Sequence, residues 1–536
     1  MSDYHTSSSI SSSEASSYPS RKNSEISDEI FDKEKEDDHS VTLSKDDSAD
    51  VLKALEEERK RFSALSPLPT LLILSIGPLL TAVGTALHDS CDLLLISKAF
   101  GDYGVTVSGL ASLVRFFCVG VALYFGDAAT LKIPKLIGQN RQEEAKQVIC
   151  DLFRVSLLVN LVFPFIVYFI TEPVLRYMNC PESAIKDSVG YILPIAVTIP
   201  FTTLLHLSLG VIQGEGRSIA CGLIQMGVFV LNCCILSPII LFGIKAPISW
   251  SGVPFGLAHG IPGIILMVLI FQGKFSIKPT WSMWKNPLSK EVFDALKVAS
   301  SFIVFLLVNT WPPMLLTHYL YNVANNINEF HDINNCFNVL MKINPFVNSF
   351  TTGIAQGFMT AGSYSAGAKD IYRFVTLSKW TLLICILLQA IFIPITVIRP
   401  WIVARIWLTE TENGVYWANR LNKIMFYTQW LQAISEVTNC LCMSFGQGWA
   451  PYIPAILKGA VMCGACVGLY DRNKTNPDLQ LYVYNICDGV VLVCDIIFFF
   501  AIIMPYIRKE KEIANREGFH DPKEESSTSV EKNVDL

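Results

Sequence analysis

The sequence predicts an all-α membrane protein: twelve transmembrane helices in two pseudo-symmetric six-helix lobes, with a disordered polar tail at each end. Three observations lead there. The first is composition: 51% of the 536 residues are hydrophobic, only 17% are charged and mean hydropathy is +0.40, whereas a soluble domain carries about 25% charge. The second is the placement of charge. The tails carry all of the net −5 and more, with 24 acids against 15 bases, and the stretch between them is slightly basic, with 27 bases against 23 acids. The third is a pair of turn motifs that recurs half a chain apart.

Taken in order, residues 1–61 are a Ser-, Asp-, Glu- and Lys-rich segment with no apolar period. They offer too little apolar surface to offset chain entropy, so a disordered cytoplasmic tail is expected, with serines open to phosphorylation. No removable secretory signal opens the chain. A bilayer crossing needs about 20 apolar residues, and twelve such runs follow, near 67–97, 105–130, 149–171, 187–211, 218–243, 252–272, 293–320, 333–362, 374–397, 417–445, 451–471 and 480–507. The expected division is a first lobe at 62–273, a cytoplasmic inter-lobe linker at 274–292, a second lobe at 293–507 and a cytoplasmic tail at 508–536. An even count puts both tails on one side. With the tails inside, the inside connections hold 14 Lys and Arg, Lys458 among them, against 10 outside, so both termini are expected to be cytoplasmic. Asn473-Lys474-Thr475 is then a sequon close to the outer surface. Cys463-x-x-Cys466 sits in an apolar run and reads as packing.

Gly138-Gln-Asn-Arg-Gln-Glu-Glu-Ala-Lys146 follows the second run and Gly367-Ala-Lys-Asp-Ile-Tyr-Arg373 the eighth, an offset of 229. Gly214-Glu-Gly216 ends the fourth run and Gly446-Gln-Gly448 the tenth, an offset of 232. Two turn elements recurring six spans later imply a duplicated bundle, a common transporter plan with cargo bound between the halves.

In this frame the chain resembles the multidrug and toxic compound extrusion (MATE) family of twelve-helix antiporters. The resemblance rests on Asp92-Leu-Leu-Leu-Ile-Ser, the Gly138 turn with Glu144-Ala145, Val211-Ile-Gln-Gly-Glu-Gly-Arg217 and Asn232. In the second half it rests on Gly353-Ile-Ala-Gln-Gly357, Ser363-Tyr-Ser-Ala-Gly-Ala-Lys369 and Tyr372-Arg373, a block similar to the prokaryotic DinF-like branch. It covers roughly residues 62–507. It implies that Asp92 is the cation-coupling aspartate of the first helix, that Asn232 is the asparagine of the fifth, and that His259 replaces a small hydroxyl residue of the sixth. Departures are Leu236 and Ser237 in place of a second carboxylate, Asn309 in place of a glutamate in the seventh run, and Ile434 where eukaryotic members carry a carboxylate in the tenth.

Ionisable groups at membrane depth are functional suspects by default. Asp89 and Asp92 lie in the first run, Asp127 in the second, Glu436 in the tenth, Asp488 and Asp495 in the twelfth, together with His88, His206, His259, His318, Arg115 and Lys342. His88 precedes Asp92 by one helical turn on the same face. With Asn232 and His259 these two form the expected cation-coupling set, and imidazoles that titrate near neutrality favour H+ over Na+. Asp89, Arg115, Asn309, Lys342 and Glu436 are the expected cargo-cleft residues. Arg115 and Lys342 favour anionic or zwitterionic cargo if unpaired, and otherwise pair or snorkel; Glu436 either forms a second-lobe site or pairs with Lys342. Aromatic side chains Trp311, Tyr319, Phe330, Tyr427 and Trp430 supply apolar wall or interfacial belt.

The expected function is a secondary active antiporter exporting organic solutes or drugs in exchange for H+ or Na+. Alternatives are a flippase for lipids or lipid-linked precursors of the same wider superfamily, and a receptor or scaffold without transport. Neither a phosphate-binding Gly-x-x-x-x-Gly-Lys loop nor a His-Glu-x-x-His set is present, so an ATPase or embedded metalloenzyme is disfavoured. No cofactor beyond the coupling ion, no metal and no nucleic-acid partner is expected. The partners are membrane lipids and a small organic solute, and the protein is expected as a monomer in the plasma membrane or an endomembrane.

Overall fold

The computed structural model describes residues 61–177, 182–399 and 412–516. Within these, certain side chains, including those of Asn309 and Lys342, lie outside the described residues. So do the expected serine-rich tail to residue 60 and the last twenty residues. The chain divides into two units, Pro67–Glu510 and the paired ends Met1–Ser66 with Lys511–Leu536. Of the paired ends, residues 61–66 and 511–516 are described, both carrying helical residues.

Among the described residues, nine helices are long and apolar enough to cross a membrane by length and composition. They are α1 (Pro67–Gly101), α2 (Val114–Gly138), α3 (Gln142–Arg176), α4 (Ile185–Gly214), α5 (Ser218–Gly243), α6 (Ile248–Phe271), α9 (Ile371–Ile398), α11 (Tyr452–Arg472) and α12 (Pro477–Arg516). The set of twelve is completed by α7 (Ser301–Asn326), α8 (Phe330–Gly367) and α10, which is split into Glu412–Phe426 and Gln429–Ser444. Of these, α8 and α10 are less apolar because they carry rows of asparagine, glutamine and threonine. Residues 508–516, expected as tail, continue α12 as helix; their acids and bases at helical spacing are compatible with that.

Helices α1 and α2 are one helical rod broken at Gly101, whose φ of 62° and ψ of −151° only glycine adopts without strain. Prolines sit inside α1, α3, α4, α6, α7 and α8, as membrane helices tolerate when neighbours satisfy the freed carbonyls. The linker forms a 3₁₀ turn at Trp281–Lys285 and then an amphipathic helix, Lys290–Ala299, capped by Ser289 and burying Val292, Ala295 and Ala299. The sequon is an exposed turn in which the Thr475 amide and hydroxyl both donate to Asn473 Oδ1 at 2.9 Å.

The repeat is visible in backbone geometry. Asn140 and Lys369, 229 residues apart, both take left-handed φ values, and each turn closes with an N–H five residues back (Arg141 to Leu136, Asp370 to Ser365). Gly216 and Gly446 do the same, with Arg217 bonded to Ile212 and Gln447 to Cys442. The equivalent glycines of the second turn are therefore 230 apart. This corrects the expected pairing of Gly214 with Gly446, because the left-handed cap defines the register and glycine identity alone does not.

The lobes meet along α1, α2 and α8. A Cβ on Gly353 would fall 2.5 Å from Leu79 Cα, and one on Gly357 would fall 2.6 Å from Ser75 Cα. Glycines four apart thus let α8 lie backbone-to-backbone on α1. The two repeat glycines themselves touch the opposite turn: a Cβ on Gly138 would sit 2.8 Å from Ala368 N, and one on Gly367 would sit 3.0 Å from Lys135 Cα. Among the described residues, hydrogen bonds join the lobes toward the helix ends on the side of Gly138 and Gly367. They include Arg373 to Thr70 at 2.9 Å, Gln213 to Thr360 at 3.2 Å and Tyr124 to the Leu296 carbonyl at 2.9 Å. The lobes are thus closed on the termini side.

An ion cluster completes that closure. Glu291 accepts from Lys132 and, at 2.6 Å, from Arg141, which also binds Glu144. Partial burial works to raise the Glu291 carboxyl, but the Lys132 and Arg141 bonds outweigh it and hold it below the ordinary 4.5. A lowered carboxyl stabilises fully above its unfolded value and loses that contribution as pH falls through the folded one. Glu291→Gln is expected to cost about 1–2 kcal/mol at pH 7, since Arg141 is half-exposed and screened. The cost fades as the pH falls through that lowered folded value, below 4.5; thermal unfolding of the two proteins from neutral to acid pH checks it.

Candidate functional site

The first lobe holds a buried polar cluster built from five helices. On α1, His88 and Asp92 stand one turn apart and are both 5% exposed. Arg115, on the α1–α2 rod, brings its guanidinium to 3.4 Å from Asp92 Oδ2 and 2.8 Å from Asp89 Oδ1. From α4, the Tyr191 hydroxyl donates to Asp92 Oδ2 at 3.1 Å. Asp89 is 57% exposed, so Arg115 bridges a dry carboxylate and a wet one. With both acids ionised the trio carries net charge −1, and one added cation neutralises it.

Beside the trio lie three imidazoles. Asn232 sits in the α5 stretch Val230–Leu236, which winds as a π-helix. There, residues five apart share a face, and Ser237 donates to Asn232 Oδ1 at 3.2 Å. That bond orients the amide so that its NH₂ faces His88 Nε2, which must then accept and be unprotonated there. His259 on α6 has Nδ1 2.9 Å from the Phe255 carbonyl, fixing its proton on that nitrogen. Its ring stacks on Phe255 at 4.0 Å, lies 5.9 Å from His88 and 6.2 Å from His206 on α4. The Arg115 guanidinium lies 5.7 Å from the Phe255 ring centroid. His206 Nε2 is buried without a hydrogen-bond partner in the described structure. Among the described residues no group of three or more His, Cys, Asp or Glu is arranged to hold a metal ion.

The second lobe holds a cavity of about 140 Å³ lined by Asn348, Gln389, Gln432, Glu436, Lys458 and Asp488, among others. Asp488 accepts from Thr428 at 2.7 Å and from Gln432 at 3.2 Å. The break in α10 at Thr428 is what brings that hydroxyl to the start of a new helix and onto α12. Gln389 donates to Thr351 at 2.9 Å. The Lys458 ammonium acts on Glu436, Asp488 and Asp495, and Glu436 also interacts with Asp127 of the first lobe. The repeat register relates the two chambers: His206 and Glu436 are 230 apart, His259 and Asp488 are 229 apart, and so are Asn160 and Gln389. Equivalent positions thus hold imidazoles in one lobe and carboxylates in the other.

The structure accordingly brings Asp92, His88, Asn232 and His259 together, with Asp89 and Arg115 attached. Arg115 is neutralised by two carboxylates, so it does not present a free cation to cargo. Glu436 lies in the second-lobe cavity, where the described basic side chain acting on it is Lys458; Lys342 and Asn309 fall outside the described side chains. Lys458 was expected in a tail-side connection. It lies instead inside α11 and lines the cavity, and a lysine within an apolar run was the signal for it. Tyr191 left no such signal, since a tyrosine near a helix end reads as an interfacial residue.

A family model described as MatE matches residues 81–236, less than a third of the chain, and a search of curated proteins found none that matches. Solved structures match over far more of it. One is described as a MOP superfamily transporter from Pyrococcus furiosus whose binding pocket has reversed polarity (TM-score 0.75, 16% identity, covering 86% of this chain and 99% of that one). Another is the outward-facing conformation of a multidrug resistance MATE family transporter of the MOP superfamily (TM-score 0.76, 15% identity, the same coverage). A third is a MATE in complex with MaL6 (TM-score 0.75, 16% identity, again 86% and 99%). The chain is an integral multi-pass membrane protein whose residues 81–236 match the MatE family model and whose fold is that of solved MATE transporters.

Proposed function

We propose that the protein is a secondary active transporter that exports organic solutes in exchange for an inward-moving ion, by alternating access between its two lobes. The observation that carries this is the buried Asp92, held by Arg115 and Tyr191 beside the His88–Asn232 pair. A carboxylate at membrane depth is retained at a cost, and its usual use is to exchange an ion. The trio needs one positive charge for neutrality. H+ suits it better than Na+, because a hard cation wants several oxygen ligands, whereas the groups that hold Asp92 are a guanidinium and a phenol donor. Binding of cargo and binding of a proton would then compete through the charge of one group.

The cargo we infer is cationic or amphiphilic. Arg115 is spoken for by Asp89 and Asp92, while Asp127 and Glu436 bring a carboxyl group from each lobe toward the other. With both termini in the cytoplasm, as the Lys and Arg bias suggests, the arrangement described is the one closed to the cytoplasm. The test is uptake of a fluorescent organic cation into proteoliposomes holding the full chain, under an imposed pH gradient and separately an imposed Na+ gradient. Accumulation driven by the pH gradient alone is expected; uptake indifferent to both gradients would overturn the reading.

A further inference from the structure

We propose that the termini-side crevice between the lobes is a binding site for a phosphate-bearing anion, either a phosphorylated lipid headgroup or a free polyphosphate. The crevice has a volume of about 340 Å³, within the range of ligand pockets. It lies between the end of α2, the helix Lys290–Ala299 and the turn that joins α10 to α11. Three lysines line it, Lys132, Lys135 and Lys297, against one acid, Asp294. Lys132 is engaged by Glu291 and lies 4.0 Å from Asp294, whose side chain is 67% exposed. Lys135 and Lys297 make no ion pair within 4 Å among the described residues; Glu291 and Asp294 act on Lys135 from farther off, which leaves three lysines against two acids around the crevice.

Geometry makes this more than a solvated basic face. Gly446, at the floor, has a φ of 83°, and a Cβ placed there would lie 3.0 Å from Lys135 Nζ. The first-lobe lysine therefore reaches over the second-lobe turn. At the rim stands Trp449, half exposed, its indole N–H bonded to Gln447 at 2.8 Å. An exposed tryptophan at a helix end is an interfacial anchor, which sets the mouth at headgroup depth. Basic pockets between membrane helices at that depth take phosphorylated headgroups, and compact lysine ammonium groups suit phosphate oxygens. Because both lobes supply the lysines, a bound dianion joins the first lobe to the second on the side where they are closed. That consequence rests on the alternating-access reading; binding itself does not.

The experiment uses the full chain in phosphatidylcholine nanodiscs, with and without 5 mol% phosphatidylinositol 4,5-bisphosphate, and the chain in detergent with inositol hexakisphosphate. Thermal unfolding is followed in each. We expect a rise in Tm of several degrees, abolished by 0.5 M NaCl and by Lys135→Gln/Lys297→Gln, with at least a tenfold loss of affinity in that variant. A shift with the lipid alone assigns the site to a headgroup, and a shift with the soluble probe as well assigns it to the phosphate chemistry itself. If the double variant folds poorly, Lys297→Glu, at an exposed position, replaces it. No shift with either probe, or an equal shift in the variants, would overturn the proposal. Uptake under a pH gradient is measured on the same preparation, so loss of binding and loss of transport are told apart.

Discussion

Asp92→Asn is expected to leave the protein folded and to reduce gradient-driven uptake at least a hundredfold, to the level of empty liposomes. The amide has the volume of the carboxylate and can still accept from the Tyr191 hydroxyl at its Oδ1. Arg115 loses one partner but keeps Asp89 at 2.8 Å, so no buried charge is stranded and the stability change stays near 1 kcal/mol. What disappears is the ability to exist in two charge states. Uptake in proteoliposomes and thermal unfolding, measured on the same sample, separate the two effects. Asp89→Asn removes the hydrated carboxylate of the trio, which then starts neutral; gradient-driven uptake should fall there too, but by less than in Asp92→Asn, because Asp92 still changes charge state. Undiminished uptake by Asp92→Asn would take Asp92 out of the mechanism.

The second large effect is on stability. Arg115→Leu leaves Asp92 buried at 5% exposure with only Tyr191 to hold it, and breaking one side of a buried pair costs about 3–5 kcal/mol. Removing both partners, in Arg115→Leu/Asp92→Leu, should restore much of that loss, because two apolar side chains of similar volume strand no charge. Fluorescence-detected gel filtration after heating measures the cycle. If Arg115→Leu alone is as stable as the wild type, water reaches Asp92 and the site is not the dry chamber described.

Much of this was legible in the chain. Apolar length located the spans, since lipid demands it wherever a helix crosses, and the exceptions have a common cause. Helices α8 and α10 carry Asn344, Asn348, Gln429 and Gln432, which bond to one another at 2.9 to 3.2 Å across the second lobe, so their polarity is satisfied inside the bundle and lowers the hydropathy that a linear scan sees. Gly353 and Gly357 stood out as a motif, and the packing of α8 on α1 supplies the reason for their spacing. The Gly214–Gly446 register was off by two, because a sequence shows where glycines are and a left-handed φ shows which one turns the chain. Tyr191 and Lys458 depend on which helices pack together, and nothing local to either residue announces that. The π-helical winding around Asn232 and Ser237 was likewise invisible, although it decides which way the Asn232 amide points.

The crossing at Gly138 and Gly367 has a mechanical consequence. The duplicated halves touch there with no side chain on either glycine, so swivelling one half against the other unmeshes no knob from any hole at that spot. Displacement then grows in proportion to distance from this bearing: a swing of roughly 10° moves the far end of a helix about 30 Å long by about 5 Å. While this bearing stays engaged the opposite face does nearly all the travelling, and opening the near face requires the two turns to part.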